Sequence, residues 1–498
     1  MDLEVAHTRC KDRLVWAIEQ LQGKVEPTQL ETITELIIQT MTGPWRYFHT
    51  PDHIFEVGGS VNAIEVLAAL FHDLVYVQVD HGVSINIGSY IAPFVKEVKG
   101  TEVKEAKGKA TKGQLVIREA TDMPASLMFD IVATIFGFVP SQVLSPMAGQ
   151  NEFLSALIAA RSLEPVLSPG MIAQIVACIE ATIPFRPLSA SGLTPSEMLY
   201  QRLIAANHQF NFGWSEAEII EIVKRCVQLS NRDVENFAYP NSADFLDNTW
   251  NLLPETNHDL INANSYTVAG YRRSLQNMEG FMNFLSPERV FQRFMGEPDE
   301  ETYEELILKT RKNLEVAKLY LGCKLVSIAI IEALSRRLVG GRNRDIPLST
   351  MMGELPIAGL KTPSLEQFLP DIPSVHPPET PLEHEVLELL RKGRNQDSSY
   401  DLKNSPIATF IVNAMGFPSV RHLIQRAKEF FADEDELSAD KFLRECDYKA
   451  IRTVIDAVEQ LFESRANALR GLSGETTLTF EPYQAAISKL GQEVVSEA

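Results

Sequence analysis

Cysteine is sparse in this chain: there are five in 498 residues, at positions 10, 178, 226, 323 and 446, with no CxxC spacing among them. An odd, dispersed set offers no disulfide framework and fits reduced, buried thiols. Positive charge is also in short supply, with 46 Lys and Arg against 66 Asp and Glu, a net charge of −20 and a pI near 5.0. A surface this acidic repels phosphate backbones, so bulk charge argues against nucleic acid as a partner. It leaves room for a small phosphorylated molecule, because a local metal ion or Arg cluster outweighs the global field. Long apolar runs are missing too. Stretches such as "LVSIAIIEAL" fall short of the roughly 20 residues that span a bilayer, so no membrane partner is expected. The opening "MDLEVAHTRC" is acidic and polar, unlike a signal peptide, and the expected location is the cytoplasm.

What is present is ordinary globular composition, 45% hydrophobic and 22% charged, at a length that suggests two to four domains. Helical punctuation recurs. "TQLETITELIIQTMTGP" reads as a Thr28-x-x-Glu31 capping box followed by Ile33, Leu36, Ile37 and Met41 on one face, ending at Gly43–Pro44. "ETYEELILKTRKNLEVAKLYLG" repeats the scheme from Thr302 and Glu305, and "AIRTVIDAVEQLF" sets Ile451, Val454, Ile455, Val458 and Leu461 at helical spacing. Strand-like alternation is confined to about 75–118. The expectation is an all-α protein with a possible small hairpin.

Two stretches break the pattern. Residues 96–119 are lysine-rich in an acidic chain, either a solvated insertion or a basic flap over an anionic substrate. Eight of the 27 prolines fall between about 340 and 381, which precludes continuous helix there and marks a boundary before further helical periodicity.

Histidine is scarce as well, ten in all, yet "RYFHTPDHIF" holds His49 and His53 four apart and "ALFHDLVY" holds an adjacent His72–Asp73 pair. Imidazole and carboxylate are good ligands for borderline divalent cations. An ionised Asp73 after the apolar "NAIEVLAAL" is costly unless paired or ligated. The plainer alternative is a satisfied core histidine beside a capping or ion-paired aspartate.

The wider pattern resembles the HD superfamily of metal-dependent phosphohydrolases. It looks most like the bacterial branch that reads roughly R-x-Y/F-H-x-x-x-H-I, then L-A-x-x-F-H-D-x-V-Y. "QNEFLSALIAARSL" is similar to that branch's N-E-x-x-S-A helix, "VACIEATIPF" to its I-x-A-T segment, and "LSNRDVENF" to the segment supplying the last Asp. "YRRSLQNMEGFMNFLSPERVFQRF" and "KTRKNLEVA" look like its closing helices. The resemblance implies an HD-domain helical bundle over 1–325 with inserted segments at about 80–148 and 187–225. A Pro/Gly-rich linker would follow at 326–381, and a second, smaller helical domain at 382–498.

Carried onto this sequence, the resemblance implies one divalent metal ion (Mn, Fe, Co, Zn or Mg) held by His53, His72, Asp73 and Asp233. His49 would then face the substrate and Arg46 would clamp its phosphate, unless Arg46 is spent in a salt bridge. Asn151 would hydrogen-bond water or phosphate, and Asp52 or Glu152 would take the proton of the attacking water. Trp45 would stack a base or serve as a buried anchor. The chain departs from the branch at Tyr76, where many relatives carry a carboxylate, at Val77, and at "IPFRP", where histidines usually follow. These departures favour one metal ion at most. The implied activity is hydrolysis of a phosphoester or phosphoanhydride in a nucleotide or other small metabolite. The alternative is a non-catalytic metal- and nucleotide-binding regulatory protein.

Overall fold

The computed structural model describes residues 2–59, 62–83, 85–98, 102–105, 108–111, 113–261, 266–339, 345–353, 363–398, 400–432 and 438–472. Among them lie nineteen α-helices and four short strands, the all-α architecture expected. In chain order the helices begin with α1 (Leu3–Gln20), α2 (Pro27–Met41), α3 (Pro51–Gly58), α4 (Ala63–Phe71) and α5 (Ile85–Ile91). Strands β1 (Val95–Glu97), β2 (Glu102–Glu105), β3 (Gly108–Thr111) and β4 (Leu115–Ile117) follow. Next come α6 (Leu127–Phe136), α7 (Gln150–Leu163), α8 (Pro169–Ala181), α9 (Pro195–Phe210), α10 (Glu216–Asp233) and α11 (Ser242–Thr256). Then follow α12 (Val268–Phe284), α13 (Pro287–Val290), α14 (Glu300–Val339), α15 (Leu348–Met352) and α16 (Pro381–Lys392). The last three are α17 (Pro406–Ala432), α18 (Ser438–Glu445) and α19 (Tyr448–Leu472).

Helix positions follow the apolar spacing, while the starts shift. Helix α2 begins at Pro27, with Glu26 as its N-cap, so Thr28 lies inside the first turn and forms no capping box. Proline is pre-organised for the first helical position and wins that start. Helix α14 is capped by Asp299, whose Oδ1 accepts from the Thr302 backbone N–H at 2.9 Å, so Thr302 is not the cap.

The chain divides into two compact units: residues 1–262, 270–325 and 379–404 in the first, and 263–269, 326–378 and 405–498 in the second. In the first, every residue of α4 from Ala63 to Phe71 is buried, and all but Glu65 are apolar. That suits a helix enclosed by α1, α3, α7 and α8. Helix α8 packs on α4, α6, α7, α9 and α10, and its last six residues, Val176 to Ala181, are all buried. The segments 80–148 and 187–225, expected as insertions, are no appendages. Ile131, Phe136, Leu199, Leu203, Ile222 and Val223 belong to the same core cluster. Strands β1 and β4 pair antiparallel, as do β2 and β3. The side chains of 101–112 lie outside the described residues, and the basic-flap reading with them. All five cysteines are free and buried.

Two expected boundaries need correction. Residues 326–339 are no linker, because α14 continues through them with Val326, Ile328, Ile330 and Ile331 buried. The segment 379–404 belongs to the first unit, and its polar contacts there explain why. Tyr400 Oη donates to the Trp250 carbonyl at 2.5 Å, and the Asn395 backbone N–H donates to Asp247 Oδ2 at 2.8 Å. Asp401 Oδ2 accepts from both Lys324 Nζ and Trp250 Nε1 at 2.9 Å. Gly393 turns the chain out of α16 at φ 97°, where a Cβ would lie 2.8 Å from the Lys403–Asn404 backbone.

In the second unit, α17 packs on α18 and α19, with Phe430 stacked on Phe442 at 5.3 Å. Helix α17 is long and apolar enough to cross a membrane by length and composition. It is also mostly buried, as core helices are, and broken at Gly416 (φ 75°).

The Lys324–Asp401 pair gives a test of the first unit. Asp401→Ala leaves the Lys324 charge buried without its carboxylate, a loss of roughly 3–5 kcal/mol for breaking such a pair. We expect a lowered urea midpoint by tryptophan fluorescence for Asp401→Ala and a smaller drop for Asp401→Asn, which keeps an acceptor oxygen.

Candidate metal centre

Three helix ends supply the centre. Thr50 stands as N-cap before Pro51, so α3 begins just upstream of His53 and presents it from the first turn. Helix α4 starts where the Asn62 side chain accepts from the Ile64 and Glu65 backbone N–H groups, and it ends at His72, its C-cap. Helix α10 starts with a full Ser215–Glu218 capping box and ends on Asp233.

There the ligand atoms of His53, His72, Asp73 and Asp233 all lie within 4.8 Å of one another. His53 Nε2 is 3.1 Å from Asp233 Oδ1 and 3.4 Å from Asp73 Oδ2. His72 Nε2 is 3.0 Å from Asp73 Oδ2 and 3.3 Å from Asp233 Oδ1. Donors about 2.1 Å from one ion stand about 3.0 Å apart at a right angle and about 3.4 Å apart at the tetrahedral angle, so the spacing fits. The tautomer fits as well. His72 Nδ1 donates to the Ala69 carbonyl at 2.8 Å, which turns the Nε2 lone pair of the neutral ring toward the two carboxylates. Four acceptors facing one another demand a cation. The group can hold a metal ion, and the four residues are those expected from the sequence.

Without a metal, protons do that work. Burial opposes charge on His53, but hydrogen bonds to Asp233 and Asp73 outweigh it and raise the imidazole to about 9. Burial likewise opposes charge on His72, and the Asp73 and Asp233 charges lift it well above its ordinary value. The carboxylates respond in kind. Burial would raise Asp73 and Asp233, yet the neighbouring imidazoles hold Asp73 well below the usual range and Asp233 at about 2.

Further contacts fix the ligands. Arg232, just before Asp233, donates from Nε to the Val57 carbonyl at 2.9 Å and pairs with the buried Glu65, tying α10 to α3 and α4. On its other side Asn231 exchanges two hydrogen bonds with the Gln292 backbone, at 2.8 and 2.9 Å. The loop after Asp73 is pinned by α7, where Ser155 Oγ accepts from the Val75 N–H at 3.0 Å.

Arg46 is no phosphate clamp. Its guanidinium is fully buried and bound through two N–H groups to Asp80, Nε to Oδ1 at 2.9 Å and Nη2 to Oδ2 at 2.6 Å. A third donor reaches the Asp73 carbonyl at 2.9 Å. The salt-bridge alternative holds, though inside the protein rather than on its surface, and it braces a ligand-bearing loop. Asn151 is spent similarly. Its Oδ1 accepts from the Val77 N–H at 3.3 Å and its Nδ2 donates to Gln78 at 2.9 Å, so it staples the loop instead of facing a substrate. Asp52 is half-buried in the first turn of α3 and is not one of the converging groups. Trp45 is half-buried and stacks on His258 at 4.6 Å, with His81 at its edge, which is an anchoring role.

Glu152 stands differently. Its Oε2 is buried with no hydrogen-bond partner. Burial first, then the Asp73 and Asp233 charges, push its carboxyl up to about 7, against the opposing pull of Arg186. Gly149 begins its helix at φ 87°, where a Cβ would collide with the Ile183 side chain. His49 lies outside the ligand set, its ring edge-on to Tyr76 at 4.6 Å and to His53 at 5.8 Å. Burial and the Glu255 and Asp73 charges hold the Tyr76 phenol well above its usual range.

The residue that sequence reasoning missed is Glu255. It is 3% exposed. Its Oε1 accepts from the Tyr47, Phe48 and His49 backbone N–H groups at 2.7, 2.8 and 3.1 Å, and its Oε2 from His49 Nδ1 at 2.6 Å. The only sequence signal was a lone glutamate near the end of an apolar-faced helix, 206 residues from its partner. Comparison with family models, curated proteins and solved structures yields no match.

Two outcomes follow. In the metal-free protein the His53 proton stabilises the fold fully below pH 6.5, and that contribution disappears as pH rises through about 9. Metal uptake at pH 7 must displace protons from His53 and His72. Calorimetry in buffers of different ionisation enthalpy should therefore report between two and three protons released per ion, two from the imidazoles and the remainder from Glu152, with affinity climbing toward pH 9. Second, Glu255→Gln should remove the fixed Nδ1–H tautomer of His49, read from its imidazole nitrogen shifts, while metal stoichiometry stays unchanged.

Proposed function

We propose that this chain is a metal-dependent phosphohydrolase of the HD superfamily, acting on a small phosphorylated metabolite, with nucleotides the first class to examine. The observation that carries the reading is the convergence of two imidazole nitrogens and two carboxylates from three helix ends, beside a carboxyl group poised near neutrality. A divalent cation at that cluster supplies Lewis acidity to a phosphoryl oxygen and a water of lowered pKa.

The remaining chemistry falls to the chain. Glu152 has a buried oxygen without a partner and takes the proton of the attacking water. Its carboxyl lies near 7 in the metal-free protein, and a cation beside Asp73 and Asp233 lowers it, favouring the basic form at neutral pH. His49 has Nδ1 committed to Glu255, which leaves Nε2 as the ring nitrogen for a phosphate oxygen or leaving group.

One observation favours the second reading, a metal- and nucleotide-binding regulator without turnover: Arg46, the expected phosphate clamp, is engaged by Asp80 and the Asp73 carbonyl. The deciding experiment measures turnover of nucleoside mono-, di- and triphosphates and sugar phosphates by protein loaded in turn with Mn, Fe, Co, Zn and Mg. We expect activity that disappears with the bound metal in Asp73→Ala. In Glu152→Gln activity should fall about 100-fold or more with metal content intact. A metal-loaded wild type inert toward every substrate would remove the hydrolase reading and leave the regulator.

A further inference from the structure

A phosphoryl group at the metal centre needs hydrogen-bond donors from the chain, because a cation cannot meet every one of its oxygens. The two groups expected to supply them are spent. Arg46 is taken by Asp80 and the Asp73 carbonyl, and Asn151 by the Val77 N–H and Gln78. Tyr76 is placed to fill the gap.

It lies three residues after Asp73, in the loop that carries this ligand. The loop is fixed on either side of it. The Val75 N–H donates to Ser155 Oγ at 3.0 Å and the Val77 N–H to Asn151 Oδ1 at 3.3 Å, both on α7. The Tyr76 carbonyl accepts from the Val79 and Asp80 N–H groups at 3.0 and 2.9 Å, which closes the turn onto the partner of Arg46. The backbone that aims this side chain therefore has little freedom.

The half-buried Tyr76 ring stands edge-on to His49, with centroids 4.6 Å apart, and the His49 ring lies 5.8 Å from that of His53. His49 is itself held by Glu255. The hydroxyl end lies among carboxylates. Burial, then the charges of Glu255, Asp73 and Glu152, keep the phenol protonated well past neutral pH. Yet none of the three accepts a hydrogen bond from it. Among the described residues the Tyr76 hydroxyl has no protein partner, and unlike Glu152 Oε2 it is open to solvent. It is a fixed donor with no acceptor of its own.

We infer that Tyr76 is a substrate-contacting residue, its hydroxyl donating a hydrogen bond to a phosphoryl oxygen held at the metal centre. The inference rests on the reading above for that metal-held phosphoryl group. The phenol binds and orients and does not protonate the leaving group, since losing its proton would set a further negative charge beside Glu255 and Asp73.

The test uses the full chain loaded with Zn or Mg, both diamagnetic, with inorganic phosphate as the probe. Tyrosine is labelled at Cζ, and the Tyr76 signal among the twelve is assigned by its absence from Tyr76→Phe. We expect phosphate to bind the loaded protein and to move the Tyr76 signal. Tyr76→Phe keeps the ring against His49, so its metal stoichiometry should be unchanged. Its phosphate Kd should rise about tenfold or more, as for loss of a hydrogen bond to a charged group. A merely structural tyrosine would show lowered stability in that variant with phosphate affinity untouched. The inference is overturned if saturating phosphate leaves the Tyr76 signal in place, or if Tyr76→Phe binds phosphate as tightly as the wild type. It is equally overturned if the loaded wild type binds no phosphate. The hydrolase reading is decided separately, by turnover: a loaded protein that is inert yet binds phosphate through Tyr76 removes that reading and keeps this one.

Discussion

At the meeting point of α3, α4 and α10, Asp73 and Asp233 bring two negative charges within 3.0–3.4 Å of the Nε2 atoms of His53 and His72. Such a group is stable only with positive charge among its members, either protons on the imidazoles or an ion in their place. Much of the nearby polar structure serves to hold that juxtaposition. Arg232 and Glu65 join the end of α10 to α3 and α4, and Arg46 and Asp80 brace the carbonyl of Asp73. Ser155 and Asn151 fix the loop that follows. These are buried or half-buried pairs whose cost of desolvation is met by several hydrogen bonds each, which favours one rigid arrangement over a deformable one.

Around this frame, side chains of similar type end in different roles because their surroundings differ. Glu255 and Glu152 are both glutamates on helices beside the centre. Glu255 accepts four hydrogen bonds, and after burial's opposing pull its carboxyl sits below the usual range. Glu152 has a buried oxygen with no partner and sits near 7. The first is committed to placing His49, and the second retains proton affinity at the pH where a hydrolase works. Helix α11 carries Glu255 near its C-terminal end, so it takes part in the centre through His49.

Much of this was legible in the sequence, and the part that was not has a common cause. The helices at 27–41, 300–339 and 448–472 were visible because apolar spacing is a local property that packing then uses unchanged. Their starts were less so, since Pro27 and Asp299 outcompeted Thr28 and Thr302 for roles that several residue types can fill. The break at the prolines was visible too. Yet Glu379–Asn404 joins the first unit because Trp250, Asp247 and Lys324 receive it, contacts that lie 77 to 151 residues away in the chain.

The sequence by itself determined which residues could be ligands: His53 and the His72–Asp73 pair stand at helix ends set by Thr50–Pro51 and by the apolar run of α4, and Asp233 closes a capped helix. Imidazoles and carboxylates in such places have few inexpensive alternatives to pairing or ligation. Only the tertiary structure decided what the remaining polar groups do. Arg46 meets Asp80 rather than a phosphate, Asn151 meets the backbone of Val77 rather than a substrate, and His49 meets Glu255 across 206 residues of chain. Each of these side chains takes whichever partner long-range packing brings within about 3 Å, and that choice has no periodicity or spacing by which a sequence could announce it.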